Sequence, residues 1–322
     1  MIYMDKVKGD SLISKPWFNL AIFVLITILV YVIDLRGTGF AHLLAPIVGI
    51  GEAVGNFGRL LLGAAVGLAF VANLQILQRL SFRLQCMIVW LELLIIFLSF
   101  FYSFGLDYGF IQKKIGFMIT QGAVTTLYIS AISISIAFVL ALIGAIAKLS
   151  SNSIAFAIAS FYTSFFRGLP LLMQIYLLYL GLPQLGWVIS AVPAGVIALS
   201  LCYGAYMTEI FRAGIISIDR GQWEAARGLA LNSVQTMRFI ILPQALRVII
   251  PPTGNQFIAM LKDSSLVSVL GVWELMFLAR TQGQTQFKHL EMLITAAMIY
   301  WVLTMVLEII QARIEKIFQK SR

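Results

Sequence analysis

Eight stretches of mostly apolar residues dominate this sequence, over approximately 17–33, 60–77, 86–104, 119–147, 155–182, 188–211, 246–277 and 290–312. A helix needs ~20 largely apolar residues to cross the hydrocarbon layer of a bilayer. Inside that layer each backbone N–H and C=O must be satisfied within its own segment, so such runs fold as helices. Only 11% of the 322 residues are charged and 60% are hydrophobic, whereas about a quarter of an ordinary soluble domain is charged. A secreted scaffold, a disordered chain and an ordinary cytosolic enzyme are excluded. The expected class is an all-α integral membrane protein with about eight transmembrane helices in lipid.

The first run follows Lys6, Lys8 and Lys15 and precedes Asp34-Leu35-Arg36 without a small-residue cleavage site, so it reads as an uncleaved anchor. Segment 38–58, with Pro46 and Glu52, either lies at the interface or re-enters. Segment 107–117, with Lys113 and Lys114, reads as a boundary. A seam near residue 110 therefore divides an N-terminal extension of three spans (1–110) from a five-span body (111–322).

A net charge of +9 would suggest nucleic acid for a soluble protein. In a membrane protein Lys and Arg collect in cytoplasmic loops. With the N-terminus inside, 15 of the 23 Lys and Arg fall on inner segments, 6 on outer ones, and Arg167 and Lys262 within spans. That bias places both termini in the cytoplasm and gives no reason to invoke nucleic acid.

The chain lacks Gly-x-x-x-x-Gly-Lys-Ser/Thr, the loop that cradles ATP phosphates, and Gly-x-Ser-x-Gly. Cys86 and Cys202 lie in apolar runs outside any Cys-x-x-Cys pair, and His42 and His289 are far apart. Neither a metal site nor a disulfide is indicated.

The informative loop is 212–247, which holds or is flanked by five arginines. It reads as two short helices. Asp219 with Gln222, then Asn232 with Gln235, mark two capping-box starts. Ala225 and Ala226 keep one face slim, and apolar Leu229 and Leu231 suit docking into a partner's groove. Pro243 and Pro251-Pro252 are expected to interrupt the chain as it re-enters the membrane.

Glu224-Ala225-Ala226, then Ile240, Leu242 and Pro243 at their offsets, resemble the EAA loop of binding-protein-dependent ABC importer permeases. That family carries Gly where this chain has Ala230, with a Gly two earlier at Gly228; Asn232 is the expected substitute turn residue. Phe166-Arg167-Gly168-Leu169-Pro170-Leu171-Leu172 and Gly204-Ala205-Tyr206-Met207-Thr208-Glu209-Ile210-Phe211-Arg212 resemble further segments of the same family, and Leu261-Lys262-Asp263-Ser264-Ser265-Leu266 resembles the branch that imports polar amino acids. The likeness covers about 118–318.

The resemblance implies the permease subunit of an ATP-driven amino acid importer, glutamate, glutamine or related, in a bacterial inner membrane. A second permease, identical or paralogous, pairs with it around the path. An ATPase dimer carrying ATP and Mg²⁺ docks below, and a periplasmic binding protein delivers solute above. The permease itself binds no nucleotide or other cofactor and is no enzyme. Gly221, Glu224, Ala225, Ala226, Arg227, Gly228, Leu229, Ala230 and Pro243 then form the coupling segment, with Glu224 foremost. A first-turn carboxylate favoured by the helix dipole is the plainer role for Glu224.

Ionisable residues within spans are costly and face protein or a water-filled path. Arg167 counts to roughly 15 Å deep along its span at 1.5 Å per residue, near the level of Lys262 and Asp263. A zwitterion needs a cation for its carboxylate, Arg167 or Lys262, and an anion for its ammonium, Asp263. The alternative is that these groups pair with one another. Glu209 and Arg212, at i,i+3, suit a structural pair, and Glu92 suits an interhelical hydrogen bond. A self-contained channel or secondary transporter, a membrane scaffold and an intramembrane enzyme stand as competing classes.

Overall fold

The structure is a computed structural model and describes residues 12–33, 56–102 and 104–319. Lys6, Lys8, Arg36, His42, Pro46 and Glu52 lie outside them, with most of segment 38–58. The described residues are helical and contain no strand. They divide into two compact units between Leu106 and Asp107, against the seam near residue 110 read from the sequence.

The first unit holds α1 (Pro16–Ile33), α2 (Asn56–Gln78) and α3 (Phe82–Tyr102). Helices α1 and α2 meet through Gly63 and Gly67, four apart on one face of α2. A Cβ on Gly63 would lie 2.7 Å from the Thr27 carbonyl oxygen, and one on Gly67 3.0 Å from that of Phe23. Small residues at this spacing let helix backbones touch where lipid supplies no hydrophobic drive. Asn73 Nδ2 donates to Glu92 Oε1 across 2.9 Å, which joins α2 to α3 and gives the Glu92 carboxylate its partner. No described residue of α3 is buried.

The second unit is built on α4 (Tyr108–Leu149) and α7 (Ala191–Ile216), the pair of its helices that pack most extensively. Their facing surfaces carry Ala137 and Gly144 from α4 and Gly204 and Thr208 from α7, all buried. A Cβ on Gly144 would stand 2.5 Å from Thr208 Oγ1 and 2.9 Å from its Cγ2. Gly144→Val therefore forces the pair apart. Its expected cost is about 1–3 kcal/mol, as for overpacking a tight core, read as a lower melting temperature of the purified protein; an unchanged melt would show that the contact yields freely.

Helix α5 (Ser153–Gly168) does not continue straight into α6 (Leu171–Tyr176). The two runs, Ser153–Gly168 and Leu171–Leu185, meet at 105°. Pro170 pushes the preceding residue out of the helical region, and Leu169 is extended at φ −95°, ψ 139°. The carbonyls freed at the break are not left bare: Gln174 Nε2 donates to those of Phe166 and Leu169, both at 2.9 Å. The expected single span 155–182 is thus a bent pair. Arg167 lies in the first limb of that pair, one residue before the end of α5.

The coupling loop differs from expectation in the opposite sense. After α8 (Arg220–Gly228), the chain enters one continuous helical run, α9 (Ser233–Leu270), rather than a second short helix followed by interruptions. Pro251 and Pro252 lie inside it and Pro243 near the start of its long α-helical part. A proline ring clashes with the carbonyl four residues back. Residues Thr236–Ile241 form a widened π turn just before Pro243, which relieves that crowding. Gln244 Nε2 donates to the Ile240 carbonyl at 2.8 Å, and Gln311 Nε2 to that of Pro251 at 3.2 Å.

Helix α9 turns by 50° into α10 (Leu275–Thr285), so span 246–277 is also a bent pair. Gly271, at φ +79°, makes the turn. The buried Glu274 carboxylate caps α10, accepting from the Met276 and Phe277 amides at 2.9 and 2.6 Å and from Tyr300 Oη at 2.7 Å. Tyr300 belongs to α11 (His289–Gln319). Asp107 likewise caps the first turn of α4, accepting from the Phe110 amide at 3.0 Å, with Lys288 Nζ 3.6 Å away. The Phe110 amide foremost holds the Asp107 carboxyl below the usual carboxylate range. A depressed pKa stabilises above the ordinary value, and that contribution is lost as pH falls through the depressed one.

Five helices, α2, α3, α4, α7 and α11, are long and apolar enough to cross a bilayer alone, and up to seven crossings result if each bent pair counts as one. Helix α1 is a shorter apolar helix. By length and composition the described residues therefore give five to seven crossings, and α1 is the remaining one of the eight apolar runs.

Candidate coupling surface and central cavity

Helix α8 is short, so its ends decide whether it forms. Asp219 Oδ1 accepts from the Gly221 amide at 2.7 Å. Gln222, expected to close a capping box with Asp219, instead accepts from Gln244 Nε2 at 3.0 Å and so ties α8 to α9. The second capping box, Asn232 with Gln235, is complete.

The C-terminus of α8 closes with the Leu231 amide on the Ala226 carbonyl (3.1 Å) and the Ala230 amide on that of Arg227 (2.9 Å). This paired closure needs a left-handed residue, and Ala230 supplies it at φ +54°. The turn thus falls on Ala230 itself, where the resembled family has Gly, and not on Asn232, whose φ is −72°. An L-residue there costs roughly 1–2 kcal/mol, partly offset by the greater unfolded-state freedom of Gly. Ala230→Gly should therefore raise stability by about 0.5–1 kcal/mol, seen in denaturant or thermal unfolding; a loss would show that the strain is not there.

Helix α8 presents two faces. Ala226 is buried, and Trp223 packs partly against the main core. Gly221, Glu224, Ala225, Arg227, Gly228 and Leu229 are exposed, Leu229 at 73%. Of the two slim alanines, then, Ala226 faces the chain's own core and Ala225 faces out. The exposed face is narrow, with an acid, a base and an apolar tip. Pro243 lies beyond this face, in α9.

Both ends of α8 connect to helices that line a cavity. This space, about 390 Å³, is bounded by Arg167 at the end of α5, by Cys202, Tyr203 and Tyr206 of α7, and by Gln256 and Asp263 of α9. Its size suits a small ligand. The Arg167 guanidinium lies 5.4 Å from the centre of the Tyr206 ring, within cation–π range. Tyr203 Oη donates to Asp263 Oδ2 at 2.7 Å. A carboxylate offers about four acceptor sites, so this bond orients Asp263 without saturating it.

Arg167 and Asp263 are thus brought to one cavity from opposite parts of the sequence. Lys262 is not: it lies ~100° round α9 from Asp263, is exposed, and does not line the space. Tyr203, Tyr206 and Gln256 line it without having been singled out. They are neutral, and a search for costly charges passes them over; the signal was Tyr203 and Tyr206 at i,i+3, on one helix face.

Glu209, one turn beyond Tyr206, gathers three cations. Lys148 Nζ bonds its Oε1, Arg212 Nε donates to its Oε2 at 3.0 Å, and an Arg167 terminal nitrogen stands 4.0 Å from Oε1. The Glu209–Arg212 pair is therefore part of a cluster that reaches α4 and α5.

An all-helical membrane protein with bent spans around a polar cavity, and a short helix projected between two of its lining helices, has the form of a transport subunit. Residues 137–320 match the model of the binding-protein-dependent transport system inner membrane component family, and the chain belongs to that family. It is a membrane-embedded component of a transport system that works with a binding protein, in a bacterial inner membrane.

Among curated relatives, the arginine transport system permease protein ArtQ of Bacillus subtilis is 40% identical over 213 residues, 66% of this chain and 97% of its own. A putative glutamine transport system permease protein GlnP of Rickettsia typhi is 39% identical, over 63% of this chain and 93% of its own. A solved amino acid ABC transporter with histidines shares 37% identity, covers 66% of this chain and 98% of its own, and superposes with a TM-score of 0.63. The MetNI methionine ABC transporter, at 18% identity and TM-score 0.55, shares the fold.

Proposed function

We propose that this chain is the translocation subunit of an ATP-driven importer of polar amino acids, glutamine, glutamate or a related solute. ATP and Mg²⁺ are held by a partner ATPase dimer, and a second permease, identical or paralogous, completes the path. Both termini face the cytoplasm, in keeping with the distribution of Lys and Arg, and the subunit itself performs no catalysis. Residues 1–110 are an extension to the five-span transport body of 111–322, whose coupling loop is 212–247.

One observation carries this reading. The helix that exposes Glu224 is joined by short turns, at both ends, to helices that line the cavity. The run from Ser233 to Asp263 is one helical rod, ~45 Å long at 1.5 Å per residue. A displacement of α8 by docked ATPases is transmitted to Asp263 and Gln256 through α9 and to Tyr203 and Tyr206 through α7. That is a two-state element biased from outside the chain. Within the cavity Arg167 supplies a cation for a carboxylate and Asp263 an anion for an ammonium, the pair that a zwitterion requires.

The test is uptake into vesicles holding the complex, its ATPase and its binding protein, with amino acids run against neutral sugars. Uptake of polar amino acids and not of sugars is the expected outcome. A complex that carries sugars and no amino acid would refute the assignment.

A further inference from the structure

We propose that Lys148 positions Arg167 for substrate by occupying Glu209, so that a lysine outside the cavity sets the cavity's capacity to hold a carboxylate. This rests on the reading of the cavity as an amino acid site.

Glu209 and the cavity compete for the same guanidinium. Arg167 lies between them, over Tyr206, with one terminal nitrogen 4.0 Å from Glu209 Oε1. That is beyond hydrogen-bond distance, although a carboxylate and a guanidinium this close would ordinarily close to a bonded pair. Lys148 Nζ on Oε1 and Arg212 Nε on Oε2 already place two cations on this one carboxylate, and their charge opposes the close approach of a third. Lys148 is held in place, its side chain only 12% exposed and its Nζ also donating to Thr163 Oγ1 at 3.1 Å. Arg167 is 43% exposed and borders the open space.

With Lys148 neutralised, Oε1 is vacated on the side where Arg167 stands. Arg167 then closes on Glu209 and its charge is spent there, leaving Asp263 to dominate the cavity. The device acts on the carboxylate end of the ligand alone. Its signature is therefore lost discrimination between an amino acid and its α-amide, in which that carboxylate is replaced by a neutral group.

The experiment measures equilibrium binding of L-glutamine, L-glutamate and L-arginine, each against its α-amide, to the purified permease–ATPase complex. For each amino acid that binds, Lys148→Met should weaken the acid by about tenfold or more, the scale of one charge-assisted hydrogen bond, with little change for the amide. Lys148→Met combined with Glu209→Gln removes the competitor as well and should return the acid to within about threefold of the parent, an interaction beyond additivity. Lys148→Arg, which keeps the charge, should stay close to the parent.

Acid binding unchanged in Lys148→Met, an equal loss for acid and amide, or no recovery in the double variant would each overturn the proposal. Arg167→Gln separates it from the reading beneath. If Arg167→Gln weakens the acid and Lys148→Met does not, positioning by Lys148 fails alone. If Arg167→Gln leaves acid binding intact, or no probe binds the parent, the cavity assignment falls and the positioning role with it.

Discussion

Replacing Glu224 by Ala should leave the permease inserted and as stable as the parent while cutting ATP-driven uptake at least tenfold. Glu224 is exposed on the outward face of α8, whereas Trp223 and Ala226 hold that helix to the body. Its removal deletes no core contact. An exposed substitution of that kind ordinarily changes stability by no more than about 0.5 kcal/mol. The loss must then arise where α8 meets another protein. A carboxylate central to a docked helix is worth about 2 kcal/mol or more, roughly thirtyfold in an equilibrium constant. Two measurements separate the roles: thermal unfolding of the isolated permease, and co-purification of the ATPase with uptake. If unfolding shifts as much as uptake, Glu224 serves the helix itself, though not as the expected first-turn carboxylate, since it is the fifth residue of α8.

Asp263→Asn is the second large effect. Asn keeps an oxygen that accepts from Tyr203 Oη, now at 2.7 Å from the carboxylate, so the local hydrogen bond and the fold survive. What disappears is the negative charge at the cavity wall. A hydrogen bond to a charged group is worth ~1.5–3 kcal/mol, so binding of an amino acid should weaken about ten- to a hundredfold. An analogue lacking the α-ammonium should lose little. Equal losses for both would mean that Asp263 braces α9 against α7 through Tyr203 rather than holding substrate.

These expectations rest on features that the sequence exposed unevenly. The apolar runs were readable because lipid leaves a helix few alternatives, and the charges within them because each is costly there. Breaks were not readable from proline alone. Pro170 ends a helix, with Leu169 extended before it and Gln174 covering the freed carbonyls. Pro243, Pro251 and Pro252 sit within a continuous one, with a π turn just upstream of Pro243. The difference lies in neighbours that become visible only in three dimensions.

The same holds at the end of α8, where Ala230 accepts a strained φ of +54° because the paired closure onto Ala226 and Arg227 fixes that position. In the cavity, Arg167 and Asp263 could be named in advance. Lys262, one residue away, could not be excluded until the rotation of α9 was known, and the role of Lys148 depended on a carboxylate 61 residues distant.

The central claim is that transport energy enters from outside this chain, through α8 and along the helices joined to it. Vesicles containing the permease and the binding protein, with and without the ATPase subunits, test it most directly. Amino acid uptake should require the ATPase and ATP together, with only background flux when either is withheld. Concentrative uptake that persists without the ATPase would contradict the account and make the chain a self-contained transporter.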